Sequence, residues 1–277
     1  MPPAIPEPDA LPALRDWLDA HRAIFVLTGA GVSTNSGIPD YRGADGEWKR
    51  RAPITYQAFV QEPAMRARYW ARSFVGWPVV ERARPNRAHA ALAGLEAQGK
   101  VSMLVTQNVD GLHDRAGHRR VIDLHGRIDQ VVCLQCSNRL PRASVQALLA
   151  AEHPEWTTLA AGAAPDGDAD LEGVDFGGFR PPACPDCNGL LKPDVVFFGE
   201  NVPRPRVETA AEALHRSDAM LVVGSSLMVY SGFRFARMAH EAGLPLAILT
   251  RGVTRADDLA TLKLHADCEA TLAAVAA

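Results

Sequence analysis

The sequence predicts an α/β fold: a doubly wound, mostly parallel sheet with helices on both faces and a small inserted module. Short apolar runs alternate with segments of helical apolar spacing along most of the chain. The first such run leads straight into a glycine turn. The alternation stops over 127–194, where four of the five cysteines fall in two Cys-x-x-Cys pairs.

Leu11, Leu14, Trp17 and Leu18 stand at helical spacing, which predicts a helix over 11–21. The apolar run 24–27 reads as a buried strand. Thr28-Gly29-Ala30-Gly31-Val32-Ser33 follows it. Strand, glycine turn and helix start together form the layout of a dinucleotide-binding, Rossmann-like unit. Residues 53–80 read as helical, with Tyr69, Trp70, Phe74 and Trp77 clustered, and 86–98 as a further helix. The next strand, 101–106, ends in Gln107-Asn108-Val109-Asp110-Gly111. A short strand at 121–124 ends at His125-Gly126. After the cysteine-bearing stretch come a strand at 195–198, a helix at 206–216 and a strand at 219–223 ending in Gly224-Ser225-Ser226. A helix at 231–242 and a strand at 246–249 complete the alternation. Residues 1–126 and 195–277 are thus expected to form the Rossmann-like domain, and 127–194 the small metal-binding module.

Composition narrows the function. The chain has 277 residues, 47% hydrophobic and 22% charged, which suits an ordinary globular protein with a sizeable core. A net charge of −3 lacks the basic surplus a nucleic-acid binder needs, so no nucleic-acid partner is expected. No apolar run approaches the roughly 20 residues of a membrane span, so no membrane partner is expected. The start, Met1-Pro2-Pro3-Ala4-Ile5-Pro6, lacks the basic and apolar stretches of a signal peptide. A cytoplasmic monomer is the expectation.

The polar motifs follow predicted strands. In an open parallel sheet, ligands bind outside the carboxyl ends of the strands. The Gly29 loop, the Gln107 segment, His125 and the Gly224 loop are therefore expected in one crevice. Gly29 and Gly31 allow close backbone approach to a pyrophosphate, and Ser33 adds a hydroxyl. Thr34 replaces the third glycine of the usual fingerprint, and no acidic residue follows at the ribose-binding distance. Both departures argue against an ordinary dehydrogenase. Cys133, Cys136, Cys184 and Cys187 supply four thiolates, which suits one closed, structural zinc site. A redox dithiol is the rival, but it would not need a second pair.

Gly29-Ala30-Gly31-Val32-Ser33 with Gly37-Ile38-Pro39-Asp40-Tyr41-Arg42 resembles the NAD-binding signature of the sirtuins, the NAD-dependent protein deacylases. Gln107-Asn108-Val109-Asp110-Gly111-Leu112-His113 resembles their second signature. His125-Gly126, the cysteine pairs, 192–200 and Gly224-Ser225-Ser226-Leu227 follow in the family's order, so the resemblance covers about 24–268. The long cysteine spacer, 68–72 and 254–259 resemble the class II branch, which includes the lipoamidase-type member.

The resemblance implies that NAD is a consumed co-substrate. The acyl group of an acylated lysine in a protein substrate passes to ADP-ribose, and nicotinamide leaves. Transfer of ADP-ribose to a protein side chain would use the same motifs and is the alternative. The catalytic group is expected to be His125, Asn108 and Asp110. His125 would act as general base on the ribose hydroxyls, for which an imidazole near pKa 6.5 is suited. Asn108, Asp110 and Ile38 would line the nicotinamide pocket, although Asn and Asp there also suit a capped turn. Gln107 would bond the ribose. Asp40, Tyr41 and Arg42 would orient the cofactor, and Gly224, Ser225 and Ser226 would meet phosphate or ribose. Thr250, Arg251 and Gly252 stand where the family has an Asn for the adenosine ribose, and Cys268 is expected near the adenine. Val196, Phe197, Gly199 and Glu200 would pair with the extended substrate by strand addition. Tyr69-x-x-Arg72 matches a pair that grips acidic acyl groups, or equally a helix face that packs. His113 is expected to pack rather than move a proton.

Overall fold

The computed structural model describes residues 4–41, 43, 45–47, 53–159, 168–169, 171 and 173–275; Arg42 lies outside the described residues. In chain order the elements begin β1 (Ile5–Pro6), α1 (Glu7–Ala20), β2 (Ile24–Thr28), α2 (Tyr56–Gln61), α3 (Pro63–Arg82) and α4 (Arg87–Ala97). Then come β3 (Val101–Thr106), α5 (Leu112–Arg115), β4 (Val121–Asp123), β5 (Gly126–Cys133), β6 (Arg139–Pro141) and α6 (Arg142–Glu152). The chain continues through β7 (Leu191–Val195), α7 (Arg204–His215), β8 (Ala219–Val223), α8 (Tyr230–Glu241), β9 (Leu246–Leu249), β10 (Leu262–His265) and α9 (Cys268–Val275).

Seven strands form one sheet in the order β1-β10-β9-β8-β2-β3-β4, with every neighbouring pair parallel. All five residues of β2 are buried, as a central parallel strand covered on both faces requires. Alternation divides it between two cores. Ile24 and Val26 pack with Leu92, Leu104 and Leu221 on one face. Phe25 and Leu27 pack with Met220, Val222 and Phe235 on the other. The expected doubly wound α/β architecture is therefore present.

A second, antiparallel sheet has the order β6-β5-β7. Its core joins Val131, Val145, Leu149 and Leu191 to Phe59, Trp70 and Phe74 of α2 and α3. Two helices that precede the cysteine-bearing stretch thus help to bury its sheet. Among the described residues, no helix is long and apolar enough to cross a membrane.

Four local expectations need correction. The helix expected over 53–80 is two helices. Pro63 starts the second, because proline fits the first helical turn and restricts the residue before it. The glycine turn after β2 leads into two short 3₁₀ turns at Ala30–Val32 and Thr34–Ser36, not into an α-helix. Gly37 ends them at φ +86. The strand expected at 195–198 lies instead at Leu191–Val195, in the small sheet. Proline in that strand is tolerated because β7 is an edge. Finally, β10 and β1 extend the parallel sheet beyond the expected last strand.

Candidate functional site

Loops leaving the carboxyl ends of β2, β3, β4, β8 and β9 surround one cavity of about 650 Å³. Gly29, Ala30, Gly31, Ser33, Ile38, Asp40 and Tyr41 line it from the first connection. Gln107, Asn108 and Asp110 follow β3, and His125 follows β4. Gly224, Ser225 and Ser226 follow β8; Thr250, Arg251, Gly252 and Cys268 lie at the far end of the sheet. Tyr69, Val196, Phe197, Gly199 and Glu200 face the cavity from the side of the small sheet.

The first and fourth loops meet backbone to backbone. Gly31 N donates to Gly224 O at 2.8 Å, and Gly29 N donates to Val223 O at 3.1 Å. Gly224 has φ +60, and a Cβ there would stand 2.5 Å from Val32 N and 2.7 Å from Gly31 C. Only glycine permits both the left-handed backbone and this approach.

Side chains from β3's end hold the first loop from below. Asn108 Nδ2 donates to Gly29 O at 3.1 Å and to Ser33 Oγ at 3.0 Å. Ser33 Oγ in turn donates to Asp110 Oδ2 at 2.8 Å, and Leu112 N donates to Asp110 Oδ1 at 2.8 Å. Burial raises the Asp110 pKa, while these two hydrogen bonds oppose the rise. Gln107 Nε2 donates to Ser225 Oγ at 2.7 Å and to Thr28 O at 3.2 Å, tying three loops together.

His125 is fixed through both ring nitrogens. Nδ1 lies 2.9 Å from Gln107 O, and a carbonyl oxygen can only accept. The hydrogen therefore sits on Nδ1, and Nε2 carries the lone pair. Ser231 Oγ lies 2.7 Å from Nε2 and donates to it. Burial pushes the His125 pKa down to about 4; the Gln107 hydrogen bond opposes this and the Arg206 charge adds to it. At neutral pH the ring is a neutral, oriented base.

Arg72 is not among the residues lining the cavity. Its Nε donates to Ala169 O at 3.0 Å and lies 3.7 Å from Asp168 Oδ2. Arg251 reaches the cavity edge but pairs with Glu7 at 3.0 Å and Asp267 at 3.5 Å. Glu200 accepts from Phe197 N at 2.9 Å and pairs with the buried Lys192 at 3.0 Å. This clamp shapes the 196–200 segment. His113 is buried outside the cavity, bonded to Thr28 Oγ1 at 3.0 Å and packed between the rings of His89 and His118.

Sequence reading missed Ser231, Tyr230 and Arg234, which also line the cavity. Their position after the Gly224 loop was the available signal, but a helix start offers many polar residues, and only the fold selects these.

The four cysteines form a second centre. Cys133 Sγ lies 3.5 Å from Cys187 Sγ, and Cys136 Sγ lies 3.7 Å from Cys184 Sγ. All four sulfurs fall within 4.8 Å of one another, and none is in a disulfide. Zn–S bonds of about 2.3 Å in a tetrahedron place sulfurs about 3.8 Å apart, so the donor set fits zinc. Each pair closes a matching turn. Ser137 N bonds Cys133 O at 3.0 Å and Asn188 N bonds Cys184 O at 2.9 Å. Ser137 and Asn188 both take positive φ, 63 and 58.

Known proteins share this design. A sequence model described as "Sir2 family" matches residues 29–231. The chain is 59% identical over 262 residues to a protein named "NAD-dependent protein deacetylase" from Xanthomonas campestris pv. campestris, covering 95% of this chain and 89% of that one. It is 58% identical over 266 residues to "NAD-dependent protein deacetylase 2" from Bradyrhizobium diazoefficiens, covering 96% of this chain and 97% of the relative. A solved structure described as "Sir2-p53 peptide-NAD+" superposes with a TM-score of 0.74 at 32% identity, over 95% of each chain. The chain belongs to the Sir2 family.

Proposed function

We propose that this enzyme removes the acyl group from acylated lysines of protein substrates, consumes NAD, and releases nicotinamide and O-acyl-ADP-ribose. The observation that carries the reading is the neutral His125, which lines one cavity with the glycine loop and the Gln107–Asp110 segment. The names of the bacterial relatives support NAD and an acetyl group.

In this reading Gly29, Ala30, Gly31 and Ser33 receive the pyrophosphate, with Gly224, Ser225 and Ser226 opposite. Ile38, Asn108 and Asp110 receive nicotinamide, and Gln107 the ribose. Asp40 and Tyr41 orient the cofactor. Thr250, Gly252 and Cys268 border the adenosine end. Arg251 acts there mainly through its pairs with Glu7 and Asp267. Val196, Phe197, Gly199 and Glu200 receive the substrate backbone, and Tyr69 the acyl chain. His125 is the base that accounts for the proton lost by a ribose hydroxyl, whose oxygen then attacks the acyl carbon.

Cys133, Cys136, Cys184 and Cys187 hold one zinc ion, which ties the small sheet together and has no open position for chemistry. Residues 127–194 form the zinc-binding module, and 1–126 with 195–277 the NAD-binding domain. The placement in the class II branch rests on 68–72, 254–259 and the long cysteine spacer. A cytoplasmic location belongs to the same reading and rests on the bacterial relatives.

Mass spectrometry of products from NAD and a panel of acyl-lysine peptides tests the proposal. Free lysine peptide with O-acyl-ADP-ribose is expected. A peptide carrying ADP-ribose, with its acyl group intact, would refute it.

A further inference from the structure

His125 has one lone pair to offer a substrate, and Ser231 already occupies it. Gln107 O fixes the ring hydrogen on Nδ1, so the Ser231 hydroxyl, 2.7 Å from Nε2, is the donor of that contact. A hydroxyl has one hydrogen and two acceptor lone pairs. The hydrogen of Ser231 is committed to Nε2, while its side chain lines the same cavity as His125. A substrate hydroxyl arriving there meets an acceptor oxygen.

The placement of Ser231 is built into the fold. It is the second residue of α8, and Gly232 N and Phe233 N both bond Val229 O, at 3.2 and 3.1 Å, so the first turn is held. Gly232 packs against the Gln107 side chain so closely that a Cβ would lie within contact distance of Oε1. Gln107 therefore bonds His125 through its backbone, while its side chain fills the space that any side chain at position 232 would need.

We propose that Ser231 relays the proton that His125 receives, an inference that rests on the deacylase reading above. A ribose hydroxyl gives its proton to Ser231 Oγ as Ser231 gives its own to His125 Nε2. The ribose and serine O–H bonds break; a new serine O–H and an imidazole N–H form. The ribose oxygen keeps the electron pair with which it bonds the acyl carbon. Serine ends neutral, and His125 ends as imidazolium.

The test uses the full chain, NAD and an acetyl-lysine peptide. Deacylation, nicotinamide exchange and rates in H₂O–D₂O mixtures are measured for wild type, Ser231→Ala and Ser231→Thr. General acid–base steps contribute about 10²–10⁴-fold, so loss of the relay should lower kcat for deacylation at least about tenfold. The KM for NAD should stay within about threefold, and nicotinamide exchange, which precedes the transfer, should persist. Ser231→Thr, which keeps the hydroxyl, should recover most of the rate. The isotope plot should bow in wild type, where two protons move, and be linear in Ser231→Ala. Wild-type deacylation by Ser231→Ala, an equal loss in Ser231→Thr, or a linear wild-type plot overturns the relay alone. A wild-type chain that yields no deacylated peptide overturns the deacylase reading, and the relay with it.

Discussion

Replacing Gly224 with alanine perturbs the contact on which the cavity's geometry depends. The residue has φ +60, and an alanine pays about 1–2 kcal/mol in that left-handed region. Its Cβ would also stand 2.5 Å from Val32 N and 2.7 Å from Gly31 C, both backbone atoms that cannot rotate aside. The two loops must separate by about 0.9 Å to relieve that contact, at a cost of about 1–3 kcal/mol. The 2.8 Å bond from Gly31 N to Gly224 O would then be lost, worth about 1 kcal/mol net. Together these effects come to about 3–6 kcal/mol, or a Tm lower by about 6–12 °C at about 2 °C per kcal/mol for a chain of this size. Because the same loops line the cavity, the KM for NAD should rise about tenfold, roughly 1.4 kcal/mol of lost binding. Gly243 supplies the control, since it has φ +70 with nothing within 4 Å of a Cβ. Gly243→Ala should lose only the backbone share and leave KM unchanged. Calorimetry and NAD titration of both variants decide the matter. A Gly224→Ala enzyme no less stable than Gly243→Ala, with wild-type KM, would show that the close loop contact shapes neither stability nor the NAD site.

Three further outcomes are expected. Purified protein should carry about one zinc per chain by elemental analysis, and Cys184→Ser should lose it along with stability of the small sheet; full zinc retention in the variant contradicts the four-thiolate site. Arg72→Ala should leave the ratio of succinyl- to acetyl-lysine turnover unchanged, because Arg72 is engaged by Asp168 and Ala169 rather than by the cavity; a selective fall in succinyl turnover shows that it reaches the acyl group. Burial lowers the His125 and His89 pKa values from 6.5 to about 4, so the folded chain keeps both neutral while the unfolded chain binds protons below 6.5. Their contribution is therefore full above pH 6.5 and lost as pH falls toward 4, about 2 kcal/mol each by pH 5. Urea unfolding across pH 5–7.5 measures it, and a flat profile contradicts the burial of these rings as neutral bases.

Much of the site was legible because its residues follow strands. Gly29, Gln107, His125 and Gly224 each sit just past a run of apolar residues, and a parallel sheet brings such positions to one edge. The cysteine pairs were legible from spacing alone. Other features depend on partners far away in sequence. Strand β10 escaped notice because Lys263, buried in its middle, breaks the apolar pattern; its ammonium is satisfied by Asp257 at 2.8 Å and Gly252 O at 2.9 Å. The apolar run 195–198 looked like a strand, but the pairing with β5 begins earlier and tolerates Pro193 at an edge. The expected helix after Gly31 failed because Ser33, Thr34, Asn35 and Ser36 are weak helix formers that favour turns, and Gly37 closes them. Arg72 matched a motif in form, yet only the fold reveals Asp168 beside it. Ser231 carries no sequence signal at all for its contact with His125, 106 residues away.

His125, held neutral and oriented by Gln107, is the proposed base for acyl transfer to ADP-ribose. The most direct measurement follows labelled acetyl-lysine peptide and NAD with wild type and His125→Ala, after calorimetry shows that the variant is folded. Wild type should form O-acetyl-ADP-ribose and free lysine peptide, and the folded variant neither. A folded His125→Ala enzyme that forms both at the wild-type rate would contradict that role.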